Sequence, residues 1–362
     1  LCFKKMNKNI LNIAIIGCGV IAPSHIESFL NLNDVKIIAL CDLVAEKCKK
    51  LNEKYMLNAN VYTDFRELFL KEKLDAISVC TDHSSHAEIC DEALQRKINV
   101  LCEKPLAHKE ETLELILNSA KKNNNIVFSG VFQNRFNPLF KAIKQLLSHN
   151  AFGKIISAGI ACSCLRTKEY YEADFWRGKW QTEGGSVMIN QAIHYLDLLL
   201  WCCGKPKTVS AKIANLAHVG VIETEDVVAS AIEFESGALA TVSANSASYN
   251  QWHNALWLSG TEGFVFLNNS NVVEMKFKNQ DMLSLFNQIV SNDDTEKLLS
   301  GKSYYGGFHF AQIKNFVDSI RTNTTPVVDL KSAALTVKTV LAIYKAMREG
   351  KSVDMNFSPL ID

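Results

Sequence analysis

Asn12-Ile-Ala-Ile-Ile16 is an apolar run of strand length, and Gly17-Cys-Gly19-Val-Ile-Ala22 follows it directly and opens the helical stretch Pro23–Leu32. Glycine at 17 permits a tight turn after a strand. Glycine at 19 lets a diphosphate approach the backbone, and alanine at 22 allows the helix to pack closely on the strand. The helix N-terminus then offers N–H donors to the phosphates. A glycine turn alone is common, so context decides. Val35–Leu40 reads as a second strand, with Asp42 just past its end. A carboxylate there grips a ribose 2′-hydroxyl and repels a 2′-phosphate, and Leu43 and Val44 supply no arginine to receive one. The stretch predicts a dinucleotide-binding unit that takes NAD over NADP, with Gly17, Gly19, Val20, Ile21 and Asp42 against the cofactor.

The alternation continues outward. Asp75–Cys80 reads as a strand, His86–Gln95 as a helix, Ile98 onward as a strand, Lys109–Lys122 as a helix and Ile126–Ser129 as a strand. This rhythm predicts a doubly wound parallel sheet over residues 10–130. Its strand ends set Gly17, Asp42, Thr81 and Lys104 along one rim. Ile98-Asn-Val-Leu-Cys-Glu-Lys-Pro105 ends in a proline that cannot continue the ladder, so Glu103 and Lys104 leave the sheet on the crevice side. The competing reading of Lys104 is a solvated strand end. Thr81 and His83 lie in the loop that leads from the strand Asp75–Cys80 into the helix at His86. Thr81, His83 and His86 are expected on the cofactor side, with one of the two histidines touching the nicotinamide ribose. With no third ligand nearby, the two histidines do not read as a metal site.

After Gly130 the rhythm breaks. Lys154–Cys164, Thr208–Ala214, Val227–Phe234, Leu239–Ala244, Ala255–Leu258 and Phe264–Leu267 are strand-like, with turns at Gly237 and Thr261–Gly263. They predict a second α/β domain over 131–358, with a large, mainly antiparallel open sheet whose free face suits substrate or another subunit. Asn279–Lys302 reads as a mobile loop or short helices, and Tyr305–Arg321 and Ser332–Glu349 as closing helices.

The chain has 362 residues with a formal net charge of +1, which gives no field to gather nucleic acid or an anionic membrane. The eleven cysteines form no CxxC pair, and with no apolar export segment in residues 1–9 they point to reduced thiols in the cytoplasm. Leu1–Lys5 reads as preceding a natural start at Met6. Ala192–Cys203 is apolar but contains His194 and Asp197, which makes it a buried helix and not a membrane span.

The second decisive stretch is Glu183-Gly-Gly-Ser-Val-Met-Ile-Asn190-Gln191-Ala-Ile-His194-Tyr-Leu-Asp197. Spacings of four and three put Asn190, His194 and Asp197 on one helical face. His194 is the general acid/base candidate, since its unperturbed pKa lies near neutrality, and Lys104 is the second catalytic group. Asp197 either orients His194 or is a satisfied core residue.

The fingerprint at 17–22, Glu103-Lys104-Pro105 and the Gly-Gly…His194…Asp197 helix together resemble the glucose–fructose oxidoreductase / inositol dehydrogenase family over nearly the whole chain. The resemblance implies a Rossmann domain followed by an open-sheet α/β domain that assembles as a dimer or tetramer. The family's common aspartate is Asn190 here. Arg166–Tyr171, Phe175–Trp180 and Asn190-Gln191 resemble the branch that oxidises C3 of UDP-N-acetylglucosaminuronic acid for surface-polysaccharide sugars. Some members of that branch regenerate NAD with 2-oxoglutarate. Arg166, Lys168, Arg177 and Lys179 offer cations for a carboxylate or diphosphate, and the aromatics can stack on sugar or base. The implied substrate contacts are Arg166, Tyr171, Arg177, Asn190, Gln191, Asp197 and His309, with Trp176 and Trp180 equally readable as core. The mechanism expected from this reading has His194 take the hydroxyl proton while Lys104 stabilises the alkoxide. A dehydrogenase of free polyol or hexose, and a non-catalytic NAD-binding regulator, are the competing readings.

Overall fold

Alternate residues of the first strand, Leu11–Ile16 (β1), enter different cores. Leu11, Ile13 and Ile15 join one apolar cluster, while Ala14 and Ile16 join the other. That is the pattern of a parallel sheet covered by helices on both faces. In the computed structural model, residues 10–123, 125–295 and 308–355 are described. The expectations for the tail up to Lys5 and Met6, for Tyr305 and Lys302, and for residues past 355 lie outside them.

The parallel sheet has six strands in the order β3-β2-β1-β4-β5-β6. Here β2 is Val35–Cys41, β3 Asn60–Tyr62, β4 Ala76–Val79, β5 Asn99–Cys102 and β6 Phe128–Gly130. Helices α1 (Ala22–Leu30), α2 (Ala45–Tyr55), α3 (Phe65–Lys71), α4 (His86–Gln95) and α5 (Glu110–Lys122) connect them. The sequence pattern marks no boundaries for α2, β3 and α3. The short β3 sits at the sheet edge and carries little apolar signal. Register aligns Ile16 with Cys41 and Val79, Val79 with Cys102, and Cys102 with Gly130. The carboxyl ends of five strands therefore make one rim, and the strand order reverses between β1 and β4, where such sheets hold ligands.

After α6 (Pro138–Ser148) come β7 (Ile155–Leu165), a short helix α7 (Lys168–Glu172), a π-helical turn Val187–Ala192 and α8 (Ile193–Cys203). Strands β8 (Pro206–Ala214), β9 (Val227–Phe234), β10 (Leu239–Asn245), β11 (Ala247–Gly260), β12 (Gly263–Asn268) and β13 (Asn271–Phe277) follow. Helices α9 (Asp281–Ser291), α10 (His309–Thr322) and α11 (Leu330–Glu349) and strand β14 (Val353–Asp354) complete the described chain. The second sheet has eight strands in the order β13-β12-β11-β7-β10-β9-β8-β14, antiparallel except where β10 runs parallel to β7. β13 escaped sequence reading because an exposed edge strand has no buried face to impose alternation. Within Asn279–Lys302, the part up to residue 295 holds α9, an 11-residue helix anchored by buried Phe286. Helices α8 and α11 bury one face of this sheet: Leu196, Val337 and Ile343 share a core with Val209, Ile232, Val242 and Leu256. On β10, Leu239, Thr241 and Ser243 face outward, so the other face is open there. Helix α10 returns to the first sheet, where Ile313, Phe316 and Val317 pack with β1 and α1.

No helix among the described residues is long and apolar enough to cross a membrane. Each cysteine among them is a free thiol.

Candidate active site

Lys104 stands two residues past the end of β5, half-buried, and reaches across to the π turn Val187–Ala192. Its Nζ donates to the backbone oxygen of Asn190 at 2.9 Å and to the Asn190 Oδ1 at 2.8 Å. The wide π turn that carries Asn190 lets a carbonyl leave the usual helical ladder and accept this bond. Burial depresses the Lys104 pKa to about 8, with Arg177 and Arg166 adding to the fall and Glu103 and Glu183 opposing it.

His194, four residues on, is the second residue of α8. Burial and then the charge of Lys104 push its pKa down to about 3, so the ring is neutral at physiological pH. Its Nδ1 is buried with no hydrogen-bond partner. An imidazole held so low is a weak proton acceptor, whereas an amine near 8 titrates close to working pH.

Next to this pair, Tyr170 lies between two guanidiniums. Arg166 sits 4.4 Å from its ring centroid and Arg177 4.3 Å. Arg177 also donates to the Tyr170 hydroxyl and to Asp174, and stacks on Trp176. Arg166 donates to Gln191 Oε1 at 2.9 Å, and Gln191 Nε2 donates to the Tyr170 hydroxyl at 3.2 Å. Arg166, Arg177, Asn190, Gln191 and Lys104 thus form one connected polar surface.

On the cofactor side, Gly17 has φ +93°, and a Cβ there would lie 2.4 Å from the backbone carbon of Cys80. A Cβ on Gly19 would meet nothing within 4 Å, which leaves room for a diphosphate at the start of α1. Asp42 accepts from the Cys18 N–H at 2.9 Å and the Val44 N–H at 2.9 Å, which fixes its carboxylate at the end of β2. These residues fit NAD.

Residues 11–131 match the family described as an oxidoreductase family with an NAD-binding Rossmann fold, and residues 140–266 match the GFO/IDH/MocA C-terminal domain. The chain belongs to the GFO/IDH/MocA family. It is an NAD-dependent oxidoreductase. A myo-inositol 2-dehydrogenase of Thermotoga maritima is 22% identical over 95% of this chain and 98% of its own. A D-glucoside 3-dehydrogenase of Escherichia coli is 23% identical over 97% of this chain and 99% of its own. The WlbA dehydrogenase from Bordetella pertussis, crystallised with NADH and UDP-GlcNAcA, superposes with a TM-score of 0.86 at 23% identity. That match covers 98% of this chain and 100% of the other, and at such identity it establishes a shared fold.

In this GFO/IDH/MocA chain several expected contacts are turned elsewhere. Asp197 is fully buried and paired with Arg135, Nη2 to Oδ1 at 2.6 Å and Nε to Oδ2 at 2.8 Å, so it reaches neither substrate nor His194. The π turn breaks the helical periodicity between Asn190 and His194, so the four-residue spacing there no longer means one face. The Tyr171 hydroxyl bonds Ser186 and Ser246 in the interior, because neighbouring residues on α7 point apart, and Tyr170 takes the site-facing position. The Glu103 carboxylate turns inward, held by His25 at 3.0 Å and close to His309 at 3.5 Å. Burial opposes its charge, but those two histidines outweigh burial and hold it well below the usual carboxylate range. His309 is thereby set beside Glu103 and not in the open crevice. His86 lies fully buried with both ring nitrogens at backbone carbonyls of Pro105 and Thr81, away from a cofactor. His83 bonds the Glu183 carbonyl at 2.9 Å and stacks on Trp176, and Trp180 packs edge-on against Tyr344. Tyr170 and Glu183 are site residues to which sequence assigned no role, although each lay inside a quoted stretch.

The two glycines make a contrasting pair. Gly17→Ala forces a left-handed φ and a backbone clash, which costs about 1–3 kcal/mol of strain. It is expected to lower both thermal stability and NAD affinity. Gly19→Ala is expected to keep the melting temperature and still weaken NAD, since only the ligand's space is filled. Thermal melts and fluorescence titration with NADH check both; equal behaviour of the two variants defeats the assignment.

Proposed function

We propose that this NAD-dependent oxidoreductase of the sugar-dehydrogenase type oxidises the C3 hydroxyl of UDP-N-acetylglucosaminuronic acid to a ketone. The supporting observation is the charge balance of the site. Arg166 and Arg177 clamp Tyr170 and both lower the pKa of Lys104, so three cations share a half-buried surface. A substrate bearing a carboxylate or diphosphate offsets them, and a planar guanidinium is suited to gripping such groups in two-point fashion. A neutral inositol or hexose brings no anion to this surface, where Asp174 already pairs with Arg177, and a regulator has little need of a buried amine held near neutrality.

NAD, when bound, supplies the hydride acceptor. Lys104 in its amine form takes the hydroxyl proton. Neutral His194 has its Nδ1 buried and offers Nε2 to hold the same hydroxyl. Asn190 fixes the amine, and Arg166 and Arg177 hold the anionic end of the sugar. The same proposal assigns 2-oxoglutarate as a regenerating hydride acceptor and another copy of the chain to the open sheet face.

The test is a panel of UDP-sugars and free polyols, followed by nicotinamide absorbance with and without 2-oxoglutarate. Turnover is expected with the carboxylated sugar nucleotide, and faster turnover of free inositol refutes the reading. A charge-assisted hydrogen bond contributes about 1.5–3 kcal/mol, so Arg177→Ala is expected to raise KM for the acid roughly 10- to 150-fold. A KM unchanged by Arg177→Ala removes the anion clamp.

A further inference from the structure

The Lys104 ammonium bonds two oxygens of one amide residue, and a carboxylate stands behind that residue. An amide can turn its oxygen to Lys104 only if its nitrogen faces away. The Asn190 Nδ2 does so, and donates to Glu183 Oε1 at 2.6 Å. Glu183 is fully buried, and its other oxygen accepts the Gly178 N–H at 2.5 Å. Each carboxylate oxygen receives a donor, the pattern an ionised group requires.

We propose that Glu183 is the positioning residue for Lys104, acting through the Asn190 amide, which it orients and through which it balances the lysine's charge at one residue's remove. The inference rests on the reading of Lys104 as proton acceptor. Its physical logic is one of distance. A carboxylate touching the amine would hold it protonated, whereas an interposed amide leaves part of the charge compensation and still allows the amine to titrate near working pH.

The groups facing the amine are Glu103 from its own turn, Glu183, Arg166, Arg177, His83 and His194. Those facing Glu183 are Lys104, Arg177, Tyr170, Tyr171 and Tyr344. Burial raises the Glu183 pKa, while the Gly178 N–H and the Asn190 amide oppose the rise.

The test moves the charge by one residue and reads the pH profile of kcat with NAD and UDP-N-acetylglucosaminuronic acid. Glu183→Gln removes the negative charge, so the Lys104 limb is expected to move to lower pH by about one unit. The amide also loses its anchor, and the plateau is expected to fall about 10-fold or more. The double variant Glu183→Gln/Asn190→Asp keeps every donor matched to an acceptor: the glutamine oxygen takes Gly178, its nitrogen meets the new aspartate, and the aspartate meets Lys104. With the carboxylate now in contact, the limb is expected to move alkaline of the parent by about one unit. If Glu183→Gln does not accumulate folded, the double variant carries the test alone. A limb at or below the parent's in the double variant, or a Glu183→Gln profile identical to the parent's, overturns the proposal. Lys104→Ala separates the two failures. Should it keep the parent limb, the reading of Lys104 falls and the relay with it. Should it lose the limb while the Glu183 variants leave it unmoved, only the relay falls.

Discussion

Lys104→Ala is expected to lower kcat by about 10²- to 10⁴-fold, the usual contribution of a positioned acid/base group. NAD affinity is expected to stay near the parent value, because Gly17, Gly19 and Asp42 hold the cofactor from other strand ends. The sign of the pH dependence follows from the depressed pKa of about 8. Below pH 8 the ammonium form dominates and cannot accept a proton, so kcat falls with decreasing pH. Above it the amine dominates and the rate levels off. Were His194 the acceptor, with its pKa near 3, the profile would be flat across the same range. Lys104→Arg gives a further discrimination. It keeps the charge but has no neutral form at these pH values, so it is expected to be as inactive as alanine. A rate profile with no limb near 8, or an arginine variant with substantial turnover, removes Lys104 from the proton-accepting role.

The parts of this site legible in sequence are those written into consecutive residues. Strand–turn–helix at Asn12–Ala22, the carboxylate after β2 and the lysine after β5 are local signals, because chain geometry fixes which way a strand end points. Contacts made across long separations were not legible. Glu103 was read as facing a cofactor, yet His25, on a helix 78 residues earlier in the chain, draws its carboxylate inward. Tyr171 and Tyr170 are indistinguishable by type, and only the orientation of the five-residue α7 decides which one the arginines flank. The π turn at Val187–Ala192 defeated a periodicity argument outright, since spacing on a helix implies a face only while the pitch is constant. The same turn frees the Asn190 carbonyl for Lys104, so the irregularity that removes Asn190 from the helical face also builds the site. Asp197, by contrast, is drawn away within regular α8 by Arg135.

Asp197 carries the other large expected effect, on stability. Asp197 and Arg135 are 0% and 3% exposed in their side chains, and the two-point pair is closed by Thr336 Oγ1, which donates to Asp197 Oδ1 at 2.9 Å. Arg135 also donates to Ser332 Oγ at 3.2 Å and to the Val327 carbonyl at 3.4 Å. The cluster thus ties the short helical turn Gln133–Phe136, α8 and α11 together. Removing one charge leaves the other buried and uncompensated, which costs about 3–5 kcal/mol, so Asp197→Ala is expected to shift the urea midpoint sharply downward. Replacing both partners with apolar residues of similar volume, Arg135→Met with Asp197→Leu, removes the stranded charge and is expected to recover most of that loss. The folded fraction of Asp197→Ala should keep the parent KM, because the carboxylate faces α11 and not the crevice. A parent-like urea midpoint with a raised KM would return Asp197 to the substrate site, and with it the single helical face that the spacing of Asn190, His194 and Asp197 suggests.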